Sequence, residues 1–258
     1  MSFDSYHWWG CRLDNSELDD ARAGLASGTG GKAGDHDAFR TLLRSGDTVA
    51  VGIALDHYHH ADSTGRYGAE NPFADDAAEV LDRARKILES PPSPASTTGA
   101  EHDGADHASA LLAMLNLARP EDSGLIASAL RQATTANSTE AAALVAGTVL
   151  EESATLDQEL VDALSDILFE DSNSPAERLH ALMAFANVRS AEAARVAARA
   201  IELSDFRLQA HAALILARRH LPAYRTLVER VVASWPKDAP FPAPTVLDLL
   251  GTEVPERE

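Results

Sequence analysis

The chain has 258 residues, 45% of them hydrophobic but only 5% aromatic, and a net charge of −18. That balance argues against a β sandwich, which draws on β-branched and aromatic side chains, and sets the chain as a whole against nucleic acid and anionic membrane. One cysteine, Cys11, excludes an internal disulfide framework.

Alanine and leucine supply most of the apolar mass, and such side chains suit closely packed helices. No run approaches the roughly 18 apolar residues of a membrane span. The opening MSFDSYHWWG lacks the basic start and apolar core of a signal peptide, so a cytoplasmic protein is expected. Charge is uneven along the chain. Residues 1–174 carry 11 Lys and Arg against 30 Asp and Glu, residues 175–237 carry 10 against 5, and the remainder carries 1 against 5.

Residues 1–34 read as an aromatic-rich segment followed by a connector. Phe3, Tyr6, Trp8 and Trp9 are four of the fourteen aromatics. Their bland reading is a segment that packs over the end of the helical body. Their functional reading is a partner-binding anchor of Tyr6, Trp8 and Trp9, since tryptophan and tyrosine dominate interface hot spots. ASGTGGKAGD, residues 26–35, lacks the spacing of a phosphate loop and a strand before it, and reads as flexible.

Residues 35–89 read as a divergent helical repeat. DAFRTLLRSGDTVAVGIALDHYHHAD gives two helices broken at Ser45-Gly46-Asp47, with Val51, Leu55 and Tyr58 on one face of the second. STGRYGAENP is a loop, and FADDAAEVLDRARKILE is a strongly amphipathic helix. Residues 90–105, rich in proline, serine and glycine, read as a mobile linker.

From residue 106 to 238 the chain carries eight apolar stripes at helical spacing. They include Leu111, Met114, Leu115 and Ala118; Ala141, Leu144, Val145 and Thr148; Leu179, Leu182, Met183 and Ala186; and Ala210, Ala213, Leu214 and Ala217. SPAE puts Ser174 at an N-cap, Pro175 at the first helical position and Glu177 where it reaches back to the cap. TLDQ, residues 155–158, is a second capping pattern, and NSTE, residues 137–140, imitates one. Pro222 opens the last stripe. The tail, residues 239–258, has room for one short helix, TVLDLL.

The stripes pair into helical hairpins about 30 to 37 residues apart, and no single pair can bury its own apolar face. Over about residues 106–235 the segments DHASALLAMLNLARPEDSGLIASALRQA, AERLHALMAFANVRSAEAARVAARAIE and FRLQAHAALILARRHLPAYRTLVERVVA resemble HEAT-type repeats. The resemblance implies an all-α class: stacked helical hairpins forming an α-solenoid, here with a divergent helical N-terminal part. It also implies a scaffold that holds another protein on a long surface. Metal-dependent hydroxylases of that architecture carry repeated His-Glu dyads, and no histidine here is followed by glutamate. DNA glycosylases built on such repeats need a basic face, against which the charge of −18 stands.

Two constellations carry chemistry. ALDHYHHAD, residues 54–62, places Asp56, His57, His59 and His60 within one to two helical turns, a set that suits a divalent metal if further ligands join. His36, His102 and His107 are the nearest additional imidazoles in sequence. The competing reading is the polar end of a scaffold helix. The second constellation is basic: Arg189, Arg195, Arg199, Arg207, Arg218 and Arg219, with Arg225 and Arg230 beyond. Such a stripe can meet an acidic peptide, a phosphate-bearing ligand or nucleic acid, or simply cover alanine helices with arginine stems. The first expectation is therefore a non-enzymatic protein-binding module whose acidic front half takes a basic partner, such as a cationic toxin that it neutralises. The alternatives are a metal-dependent enzyme or metal-binding domain at residues 56–60, and anion or nucleic-acid binding through the arginines.

Overall fold

The computed structural model describes residues 6–8, 11–28, 31–63 and 71–251, and every regular element among them is a helix. The chain forms two compact units, residues 1–145 and 146–258. No helix among the described residues is long and apolar enough to cross a membrane.

The first unit contains α1 (Ser16–Ser27), α2 (Gly31–Leu43), α3 (Thr48–Ser63), α4 (Ala77–Leu88), the single turn α5 (Ala95–Thr98), α6 (Ala105–Met114), α7 (Ser123–Gln132) and the first part of α8 (Ala136–Glu152). A short 3-10 turn spans Tyr6–Trp8. The centre is α6, in which every residue except Leu112 is buried. Its alanines and Ser109 keep it thin, so α3 and α4 both pack closely against it. On the other side of α3, Phe39 of α2 stacks on Phe73 at 4.2 Å between ring centres, and Tyr58 lies 6.4 Å from Phe39. Val51, Leu55 and Tyr58 are buried together, as their spacing requires.

Three expectations for this unit are corrected. The N-terminal segment contains a helix, α1, capped by Asn15, whose Oδ1 accepts from the amides of Glu17 and Leu18, and closed by Gly28 at φ 62°. The expected connector is helical from Gly31 onward. Residues 90–105 are no free tether: Asp106 accepts from the Ser93 amide, Asp103 accepts from the Ala95 amide at 2.7 Å, and the Gly104 amide donates to the Ser93 carbonyl at 2.9 Å. The division between compact units falls at residue 145, not in this stretch.

The second unit contains the end of α8, then α9 (Gln158–Phe169), α10 (Pro175–Met183), α11 (Ala191–Ala200), α12 (Phe206–Arg219), α13 (Leu221–Val232) and α14 (Ala243–Leu250). Each of several helices touches both its successor and the next but one: α9 meets α10 and α11, and α12 meets α10, α11, α13 and α14. Gly147 permits a close approach in this unit, since a methyl there would lie 3.3 Å from the backbone of Ala184. The apolar stripes are largely buried, but Leu144 and Met183 are 47% and 40% exposed. In α8 the buried side runs instead through Ala142, Val145, Ala146 and Val149. Where alanine flanks a stripe on both sides, composition does not fix which way the helix turns.

The caps sharpen the boundaries. Ser174 and Glu177 form the reciprocal box, with the Glu177 carboxylate accepting from the Ser174 amide at 2.9 Å. Pro222 sits in the first turn of α13. The α9 cap is Asp157, accepting from the Leu160 amide at 3.1 Å, rather than Thr155. At α8 the reciprocal pair is Thr135 with Ser138, two residues earlier than the NSTE pattern suggests. Asp157→Ala is therefore expected to cost about 1 kcal/mol in a urea melt, while Thr155→Ala leaves the midpoint unchanged. Equal losses would return the cap to Thr155.

Candidate functional site

The last two turns of α3 carry Asp56, His57, His59 and His60. Two further imidazoles arrive from distant parts of the first unit. His7, 4% exposed, comes from the N-terminal turn, and His102 comes from the loop before α6. The proton positions follow from the backbone partners. His102 Nδ1–H donates to the Asp103 carbonyl, so its Nε2 accepts from His7 Nδ1–H at 3.0 Å. His7 Nε2 then faces Asp56 Oδ1 at 3.9 Å. His60 Nδ1–H donates to the Asp56 carbonyl at 2.8 Å and stands 3.7 Å from Asp56 Oδ1. The His59 and His60 rings meet edge to face at 5.3 Å. Burial first, and then His102, His60 and His59, push the His7 pKa down to about 4.

This cluster joins Asp56, His59 and His60 of the sequence motif with His7 and His102. His57 is buried on the same helix. His36 is elsewhere, donating to the Pro72 carbonyl beside the Phe73 ring, and His107 donates to the Ser90 carbonyl at 2.8 Å. Among the described residues no group of three or more His, Cys, Asp and Glu side chains is arranged to hold a metal ion. The buried thiol of Cys11 donates to the Gly99 carbonyl, and burial raises its pKa, so it ties the N-terminal segment to the loop before α6.

Of the aromatic anchors, Trp8 is buried at 3% exposure and turned into its own unit, where Nε1–H donates to Ser109 Oγ of α6 at 2.9 Å. It is removed from the partner-binding set and performs the packing role instead. Trp9 and the Tyr6 side chain lie outside the described residues.

The charges of the first unit divide by direction. Arg40 holds the buried Asp76, Arg85 makes a two-pronged pair with the buried Asp122, and Arg44 grips Glu79. Arg22 and Lys86 pair with Asp19 and Asp82. Asp14, Glu17, Asp20, Asp75, Glu89 and Glu121 are exposed and form no ion pair among the described residues. Residues 1–145 hold 11 Lys and Arg against 22 Asp and Glu, a net −11.

The arginines of the second unit do not form one stripe. Arg195 pairs with Glu192, and Arg230 with Glu202. The Arg199 guanidinium carbon lies over the Phe169 ring, 3.8 Å from its centre, a cation–π contact. Arg207 and Arg218 are exposed at separate places on α12. Arg189 and Arg219 alone converge, on a cleft of about 480 Å³ that also takes in Asn187, Ser190, Glu151 and Glu192. Compared with known proteins, the chain matches no family model and no curated protein.

Proposed function

We propose that this protein is a non-enzymatic binding module of HEAT-like helical hairpins whose acidic first unit holds a basic protein partner. One observation carries this reading: the first unit turns Arg22, Arg40, Arg44, Arg85 and Lys86 onto acids, two of them buried, and leaves exposed carboxylates that form no ion pair among the described residues. Such a field speeds and selects association with a positively charged surface. The contacts of α9 and of α12 with both the following helix and the next but one support the solenoid reading. The single buried thiol fits a reducing, cytoplasmic setting. The imidazole cluster is read as the polar closure of α3, because its hydrogen bonds run to backbone carbonyls and to the N-terminal turn.

The test uses the intact chain as bait in its native cell extract, followed by titration of the captured protein. The partner is expected to be basic, and its affinity to fall steadily with added salt. The double substitution Glu17→Gln, Asp20→Asn is expected to weaken it about tenfold at low salt, mainly through the association rate. An acidic partner, or an affinity indifferent to salt and to these substitutions, would overturn the reading.

A further inference from the structure

The cleft of the second unit goes beyond that reading, since it gathers two arginines that have no carboxylate partner among the described residues. Its floor is built by the end of α12 and the start of α11. Arg219 closes α12 and donates through Nη2 to Asn187 Oδ1 at 2.9 Å. It has no carboxylate partner among the described residues. Arg189, exposed and lining the same cleft, makes no hydrogen bond or ion pair among the described residues. Between them begins α11, ten residues long, whose cap Ser190 satisfies the Ala193 amide at 3.0 Å. The amides at the very start of a helix have no carbonyl within the helix, and the helix dipole adds positive potential there.

We propose that this cleft binds a phosphate group carried by a small molecule. Its volume of about 480 Å³ suits a ligand of that size. Two guanidinium groups and a helix start present more donors than the two oxygens of a carboxylate can accept, and a tetrahedral phosphate matches them better. A nucleic-acid strand fits less well. Residues 146–258 hold 11 Lys and Arg against 18 Asp and Glu, a net −7. Glu151 and Glu192 also line the cleft, and Arg207 and Arg218 do not, so no basic track leads out of it. Glu192 is committed to Arg195.

Titration of the full chain with inorganic phosphate and with phenyl phosphate, followed by ³¹P NMR at constant ionic strength, tests the assignment. Both are expected to bind saturably at millimolar concentration, phenyl phosphate the more tightly, and acetate to bind less well. Arg219→Gln and Arg189→Gln are each expected to weaken binding about tenfold, whereas Arg207→Gln, outside the cleft, leaves it unchanged. The exposed Arg189 side chain makes no hydrogen bond or ion pair among the described residues, so Arg189→Gln carries the test if Arg219→Gln fails to fold. Absence of saturable binding, equal weakening by Arg207→Gln, acetate binding as tightly as phosphate, or a single-stranded oligonucleotide binding more tightly than either phosphate would overturn it.

Discussion

Gly52→Ala is expected to destabilise the first unit by about 2 kcal/mol, opposite in sign to the usual rule. Alanine inside a helix ordinarily gains about 1 kcal/mol over glycine, and Gly52 lies in the middle of α3. Here the bare Cα is the seat of the Trp8 indole. A methyl at residue 52 would overlap the ring, and the overlapping atoms are the rigid body of the indole rather than the end of a flexible chain. Overpacking of that kind costs about 1 to 3 kcal/mol. Displacing the ring also breaks its hydrogen bond to Ser109, worth about 1 kcal/mol. Urea melts of the two proteins measure the difference, and tryptophan emission shifting to the red would show the ring entering water. A gain in stability would mean that Trp8 is not seated on α3, and the anchoring of the N-terminal turn would fall with it.

That contact shows where sequence reading reaches its limit. Residues close in the chain were legible: the break at Ser45-Gly46-Asp47, the Ser174 box and the buried face of Val51, Leu55 and Tyr58 all depend on spacings of a few residues. The helices of residues 106–238 are legible because the period of their stripes needs no knowledge of neighbours. Helix α1 was missed because Leu18 and Leu25 are its only large apolar side chains, although Asn15 at one end and Gly28 at the other mark its limits. The imidazole cluster could be half seen. Asp56, His59 and His60 lie on one helix, but His7 and His102 are 95 residues apart and meet only because the chain closes on itself. A glycine facing a tryptophan 44 positions earlier leaves no local pattern. The phosphate cleft has the same character: Arg189 and Arg219 stood in an evenly basic segment, and folding alone separated them from Arg195, Arg199 and Arg230, which found partners.

Acidification is expected to loosen the first unit through His7, by up to about 3 kcal/mol between neutral pH and pH 4. The sign follows from the proton balance. In the unfolded chain the imidazole titrates at 6.5, and in the folded unit at about 4. Above pH 6.5 both forms are neutral and His7 has no effect on the equilibrium. Between 6.5 and 4 only the unfolded chain takes the proton, so stability falls by about 1.4 kcal/mol per pH unit. Below 4 both forms are charged and the loss levels off. The groups facing the ring act in opposite directions. Burial and the His102, His60 and His59 rings oppose the charge, while the Asp56 carboxylate at 3.9 Å favours it. Burial is expected to win, because a ring 4% exposed has lost most of its water. Carboxylates titrating near 4 add their own acid sensitivity, so the quantity to read is the difference between the native protein and His7→Gln, whose amide can still donate to His102. Melts at pH 7, 6, 5 and 4 should show the two proteins diverging from pH 6.5 downward, with the variant the less sensitive. Parallel curves would show that Asp56 keeps the proton on His7. The cluster would then be a charged pair holding the N-terminal turn, rather than a neutral stack of imidazoles.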